Sequence, residues 1–224
     1  MKPTSRKPRP ERRQEIARAV LRIIGERGLK TLTTATLASE VGVTSGALYR
    51  HFASLEEILI ETARDGVERI ESTFPDAGLP PLDRLLGLAD NRVRLLRGDR
   101  GLAWLLRSEQ AYLVLPEQAA QGLRDVARRS RQFLLDALVD GAGIGSIRRD
   151  IEPEVLLVTV LGTIHALIGF GDPHPSHPGR TPPGSDRVLS GLARLLQPLE
   201  VTGSGLDDAM ESKQRQTSKK ELES

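Results

Sequence analysis

The chain has 224 residues, 38% of them hydrophobic, and a formal net charge of +2. That length suits one large or two small domains. There is no cysteine, which excludes a disulfide framework and a thiolate metal site. The near-neutral total hides an uneven distribution. Residues 1–52 hold 11 Lys or Arg against 4 Glu, a net +7, and the remainder holds 21 against 26, a net −5. A basic end on a mildly acidic body suits a protein that presents one end to nucleic acid. The basic start lacks the apolar stretch of a secretory signal, so a cytoplasmic protein is expected.

Residues 1–9, MKPTSRKPR, are Pro-rich and cationic and read as a disordered basic arm. On its own the run Lys2 to Arg13 is equally well a solvated tail; beside a DNA-binding head it becomes a phosphate contact. A first helix should start near Pro10, because proline suits the first turn, and stop at Gly28. Its apolar stripe is Ile16, Val20, Ile23 and Ile24. Thr34 can cap a short helix with Leu37, Ala38 and Val41 inward. Gly42 then permits a sharp turn, having no Cβ to clash at positive φ. Thr44 can cap a second helix reaching Phe52, with Leu48 and Phe52 inward. The arrangement is a helix-turn-helix in a head spanning 10–53. Small side chains on its second helix let the backbone approach base edges, while hydroxyl, imidazole and guanidinium groups reach phosphates. Tyr49 has an alternative place in the core, with its hydroxyl tied to the first helix.

Ser54 and Glu57 have capping-box spacing and open a fourth helix carrying Ile58, Leu59, Ala63, Val67 and Ile70. After a Pro/Gly break the spacing predicts helices over about 81–97, 99–114 and 116–141, the last ending near Gly141 and Gly143. No sustained alternation argues for strands. Pro153 starts an apolar stretch, EVLLVTVLGTIHALIGF, that is short of the roughly 20 residues of a membrane span. A helix apolar on most sides is buried on most sides. It is read as a dimer helix, with Leu157, Leu161, Ile164, His165 and Ile168 on the interface. A last helix over about 185–197 adds Val188, Leu192 and Leu195, giving a four-helix interface. The alternative is an intramolecular core helix. Residues 54–198 thus form a helical body with a dimerisation role, and 199–224 a disordered polar tail.

The string GVTSGALYRHF, followed by ASLEEIL, is similar to the DNA-binding domain of the TetR family of bacterial repressors. The similarity covers roughly residues 11–60, with Gly42, Gly46, Leu48, Tyr49, His51 and Phe52 at that family's spacing. The resemblance implies that Thr44, Ser45, Gly46, Ala47, Tyr49, Arg50 and His51 lie in or beside the major groove. It implies Ser45 and Ala47 at base edges, Tyr49 and His51 on phosphates, and Arg50 on a phosphate or guanine. Thr34 and Ser54 join this DNA-facing set at helix starts. Two residues depart from the family pattern: Ser45 and Leu55 stand where many members carry a basic side chain. The resemblance also implies a fourth helix that links head to body, and a body cavity for a small inducer, which makes 54–198 the ligand-binding domain as well. Trp104, Arg107, Gln110, Phe133 and His165 are its candidate lining residues; packing and surface roles are the alternative.

Enzyme chemistry finds no support. There is no Walker loop, no dinucleotide glycine pattern after a strand and no nucleophile elbow. Asp172, His174 and His177 lie in a Pro-rich loop without the rigid spacing of a zinc site, so neither metal nor cofactor is expected. The sequence therefore points to an all-α homodimeric regulator of double-stranded operator DNA, a repressor released by an unidentified small molecule. A ligand-independent architectural or nucleoid-type DNA binder is the alternative, and an enzyme with a DNA-binding appendage a third.

Overall fold

The computed structural model describes residues 8–169 and 184–199. Apart from Pro8 and Arg9 the expected basic arm falls outside that range. So do Phe170, the loop with Asp172, His174 and His177, and all of the expected tail beyond Leu199. Among the described residues every regular element is helical. The fold is all-α, with an N-terminal helix-turn-helix head and a larger helical body.

The head is built from α1 (Arg9–Arg27), α2 (Thr34–Glu40) and α3 (Ser45–Leu48). Pro10 sits in the first turn of α1, and Gly28 ends it at φ 83°, its N–H donating to the Ile24 carbonyl. Ile16, Val20, Ile23, Leu37, Leu48 and Phe52 are buried together, joined by Ile58 from α4 (Leu55–Glu71). The body follows as α5 (Pro81–Gly98), α6 (Arg100–Arg107), α7 (Glu109–Val114), α8 (Glu117–Ile144), α9 (Pro153–Gly169) and α10 (Ser185–Leu196). Its core runs from Leu85 and Leu96 on α5, through Leu123 and Leu138 on α8, to Val160 on α9.

Several boundaries differ from the sequence reading, each for a local reason. Thr33, not Thr34, caps α2: its hydroxyl accepts from the Thr36 N–H while Thr36 Oγ1 accepts from the Thr33 N–H. The expected 99–114 helix breaks at Ser108, whose backbone is extended (φ −91°, ψ 124°). α8 continues past Gly141 and stops at Gly145, which takes the left-handed conformation at φ 77°. Gly141 is needed for packing instead, since a Cβ there would lie 2.5 Å from Ile147 Cδ1.

The expected dimer face is corrected. Leu157, Ile164, Ile168 and Leu192 are buried within a single chain, and Leu161 and Val188 are half-buried there. α9 packs on α5, α8 and α10, and those helices take the side of α9 that was assigned to a partner. Of the expected set only His165 and Leu195 are exposed. The outward strip of α9 is Val155, Val158 and Gly162, with Val158 64% exposed; Leu195, 62% exposed, adds to it from α10. An all-round apolar helix carries no sequence mark telling its inner face from its outer one.

Head and body meet where α1 lies on α6. A Cβ on Gly101 would come within 1.9 Å of the Leu21 carbonyl oxygen, and one on Gly25 within 2.6 Å of the Gly101 nitrogen. Leu21 belongs to the body core although its helix belongs to the head. Gly101→Ala should therefore separate the two helices and cost toward the upper end of about 1–3 kcal/mol, as overpacking does. Gly143→Ala in α8, whose Cβ would meet nothing within 4 Å, serves as the neutral control. Thermal unfolding checks both; an unchanged midpoint in Gly101→Ala would refute the close approach.

Candidate nucleic-acid interface

The turn between α2 and α3 is made by Gly42 at φ 67° and closed by the Val43 N–H donating to the Ala38 carbonyl at 2.9 Å. Thr44 caps α3, its hydroxyl accepting from the Ala47 N–H at 3.2 Å. Regular α-helix ends at Leu48. The chain then tightens, with the His51 and Phe52 N–H groups both donating to the Leu48 carbonyl. The expected helix to Phe52 is thus a short helix and a turn. The turn serves the same anchoring purpose, because it leaves Leu48 and Phe52 buried.

The outward side of this segment carries Thr44, Ser45, Gly46, Tyr49 and Arg50, all exposed, with Ala47 half-buried. A Cβ on Gly46 would meet nothing within 4 Å, so the fold itself does not require glycine there. Tyr49 is 47% exposed, which excludes the core alternative. Its hydroxyl lies 3.2 Å from Thr34 Oγ1. The start of α2 and the end of α3 therefore present two hydroxyls side by side, a pair of donors that one phosphate could share. Arg50 makes no ion pair among the described residues.

His51 and Ser54 are less free. Ser54 Oγ accepts from the Glu57 N–H at 3.1 Å and so caps α4. His51 Nδ1 is buried without a hydrogen-bond partner. Burial lowers the ring's pKa first, and Arg12, Arg9, Arg50 and Arg13 lower it further. The imidazole is therefore neutral at neutral pH, and any phosphate contact falls to Nε2.

Sequence reasoning missed the role of Arg13. Its guanidinium donates to the His51 carbonyl at 2.7 Å and to Glu57 at 2.8 Å, reaches Glu61 at 3.3 Å, and lies 4.1 Å from the centre of the Phe52 ring. Glu57 also accepts from the Ala53 N–H at 2.6 Å. That bond and then Arg13 hold its carboxyl below the usual range. Arg12 is paired with Glu15, and Arg22 and Arg27 with Glu40. Arg13, Arg22 and Arg27 thus tie helices together through ion pairs, and a count of charges cannot show that.

A second feature lies in the body, where α5, α6, α8 and α9 enclose a cavity of about 630 Å³. Of the five candidate ligand residues, Arg107 and His165 line it. The other three do not. Trp104 packs between the head and body cores, Gln110 is exposed, and Phe133 stands edge-on to Phe74 at 5.3 Å. The cavity instead takes Arg92 from α5 and Arg128, Ser130 and Arg131 from α8. One signal was visible in the sequence: Arg92 interrupts an apolar face, with Leu88 and Leu96 four residues to either side.

Residues 16–62, from within α1 to the first half of α4, match the family model for bacterial regulatory proteins of the TetR family. Residues 16–62 are a TetR-family DNA-binding domain. Relatives that match over about two thirds of the chain include transcriptional repressors and a fatty acid metabolism regulator. The repressor KstR2 of Mycolicibacterium smegmatis is 27% identical over 149 residues, 65% of this chain and 72% of that protein. The structure of KstR2 from Mycobacterium tuberculosis superposes with a TM-score of 0.67 at 23% identity, covering 83% of this chain and 95% of that one. AibR, solved in complex with isovaleryl coenzyme A and operator DNA, superposes with a TM-score of 0.64 at 21% identity, over 83% and 97%. These likenesses show that the TetR fold extends through the body.

Tyr49→Phe removes a hydroxyl from an exposed ring, so the head should keep its melting temperature. DNA affinity should fall about fivefold, equivalent to about 1 kcal/mol for a hydrogen bond, and by the same factor on every sequence. Fluorescence-anisotropy titrations on unrelated duplexes check this; a loss confined to one base pair would contradict phosphate contact.

Proposed function

We propose that the protein is a homodimeric, cytoplasmic repressor that binds operator DNA and is released from it by a small molecule held in the body cavity. The observation that carries this reading is the outward surface of α3, where Ser45, the bare backbone at Gly46, Arg50 and the Tyr49–Thr34 hydroxyl pair lie together. Glycine with open space around its missing side chain suits close approach of a base edge or phosphate to the backbone. In this reading Ser45 and Ala47 face bases, Thr34, Thr44, Tyr49 and Arg50 hold the DNA backbone, and His51 assists through Nε2. Ser54 acts by orienting α4.

Two copies related by a dyad would place two α3 helices in successive major grooves. The dimer face is assigned to the outward strip of α9, Val155, Val158 and Gly162, together with Leu195 of α10. Exposed valines beside a glycine let two helices approach closely. No helix among the described residues is long and apolar enough to cross a membrane. The repressors among the relatives support negative control, and AibR bound to isovaleryl coenzyme A supports a ligand in the body. The ligand acts by binding the DNA-incompetent form more tightly than the bound form.

Val158→Glu changes an exposed residue and should leave the helical fold intact. It should give a monomer by analytical ultracentrifugation. Binding to palindromic duplexes selected from a random pool should weaken at least about tenfold, because the second half-site loses its effective concentration. A stable dimer with full affinity would overturn the assigned interface.

A further inference from the structure

The chemistry of the body cavity names a class of ligand; the inference rests on the ligand-responsive reading above. The walls are aliphatic: Leu88 and Leu96 from α5, Leu134 from α8, and Leu161, Ile164 and Ile168 from α9. Set into them are four arginines, Arg92, Arg107, Arg128 and Arg131, and no aspartate or glutamate among the described residues lines the space. Arg128 is paired with Asp125 at 2.9 Å. Arg107 and Arg131 are exposed and have no carboxylate partner among the described residues. The Arg107 guanidinium stands beside Gly169, 3.9 Å from where a Cβ would lie.

Arg92 is the informative residue. It is only 7% exposed, yet every oxygen it meets is neutral. It donates to Thr73 Oγ1 at 3.0 Å, to Ser130 Oγ at 3.1 Å and to the Ile70 carbonyl at 3.5 Å. Burial alone lowers its pKa to about 10, so it remains a cation at neutral pH. A buried cation with no counter-charge costs free energy, and an aliphatic side chain between Leu88 and Leu96 would pack there without that cost. The hydroxyls of Thr73 and Ser130 fix the guanidinium in place but do not neutralise it. An anion entering the cavity would.

Small hydrophilic anions do not suit the space, since the aliphatic walls would strip their hydration and offer nothing in exchange. A neutral apolar molecule would fill the walls but leave the arginines uncompensated. We propose that the cavity binds an amphiphilic anion, its hydrocarbon part against the leucine and isoleucine walls and its charged group among the cavity arginines, Arg92 on the buried side and Arg107 and Arg131 on the exposed side. Two sources share this chemistry: a free carboxylic acid, and a thioester whose charge sits on the phosphates of its carrier.

Calorimetric titration of the full chain with dodecanoate, dodecanoyl-coenzyme A and dodecan-1-ol, each below its micelle concentration, separates them. At least one of the two anions should bind one per chain, about tenfold or more tighter than the alcohol, as charge-assisted bonds to arginine demand. A preference for the acid identifies a carboxylate ligand, and a preference for the thioester a phosphate-bearing one. The double variant Arg107→Gln, Arg131→Gln alters exposed residues and should melt like the parent. It should lose about tenfold toward the preferred anion while its affinity for the alcohol stays unchanged. Equal affinity for alcohol and anions, no binding of either anion, or full anion binding by the double variant would each overturn the proposal. DNA retention measured in parallel keeps the two readings apart: an anion that binds without releasing DNA would sink the release mechanism and leave the ligand class standing.

Discussion

Everything the head does is constrained by the backbone-to-backbone packing of α1 on α6. Gly25 and Gly101 face each other so closely that neither has space for a methyl group. Close packing of this kind transmits displacement, because the interior has little slack. The same helix α6 presses Leu102 and Leu105 against Gly66 of α4, each 3.1 Å from where a Cβ would sit. At its other end α6 places Leu106 and Arg107 in the body cavity. One eight-residue helix thus touches the first helix of the head, the helix leaving the head, and the cavity. Head and cavity therefore share one helix, the element through which the proposed release would act.

Electrostatics supports this frame. Arg13 joins α1 to the end of the helix-turn-helix and to the start of α4, and Gln14 and Arg18 reach the buried Asp65 farther along α4. Arg69 and Asp99 extend the chain of pairs from α4 to the start of α6 at 2.8 Å. These contacts use up much of the positive charge that the sequence places in the head. In the proposed function, long-range attraction to DNA leans on the groups left outward, Arg50 foremost.

Legibility in the sequence followed how local each determinant is. α1, the Gly42 turn, the Thr44 and Ser54 caps and the strip Leu37–Leu48–Phe52 were readable because their causes lie within a few residues. Tyr49 was placed between two alternatives until its exposure and its Thr34 contact separated them. The capping residue of α2 was misplaced by one position because Thr33 and Thr34 are chemically alike, and only the reciprocal bond with Thr36 distinguishes them. Which face of α9 is covered by α5, α8 and α10 was not legible, because nearly every position on that helix is apolar or small. Arg92, Ser130 and Arg131 escaped notice as cavity residues because α5 and α8 come together only in the folded body. Aromatic residues such as Trp104 and Phe133 drew attention on composition, and they serve packing.

In the proposed function this head reads a specific operator as one half of a dimer. That reading is tested most directly by mixing the purified chain with sheared DNA from the genome that encodes it, at about 150 mM salt, where purely electrostatic binding is suppressed. The retained fragments are then sequenced. A dimeric regulator should enrich a few palindromic intergenic sites whose half-sites are spaced for two α3 helices. Diffuse retention with no shared motif would contradict that reading and favour an architectural DNA binder instead.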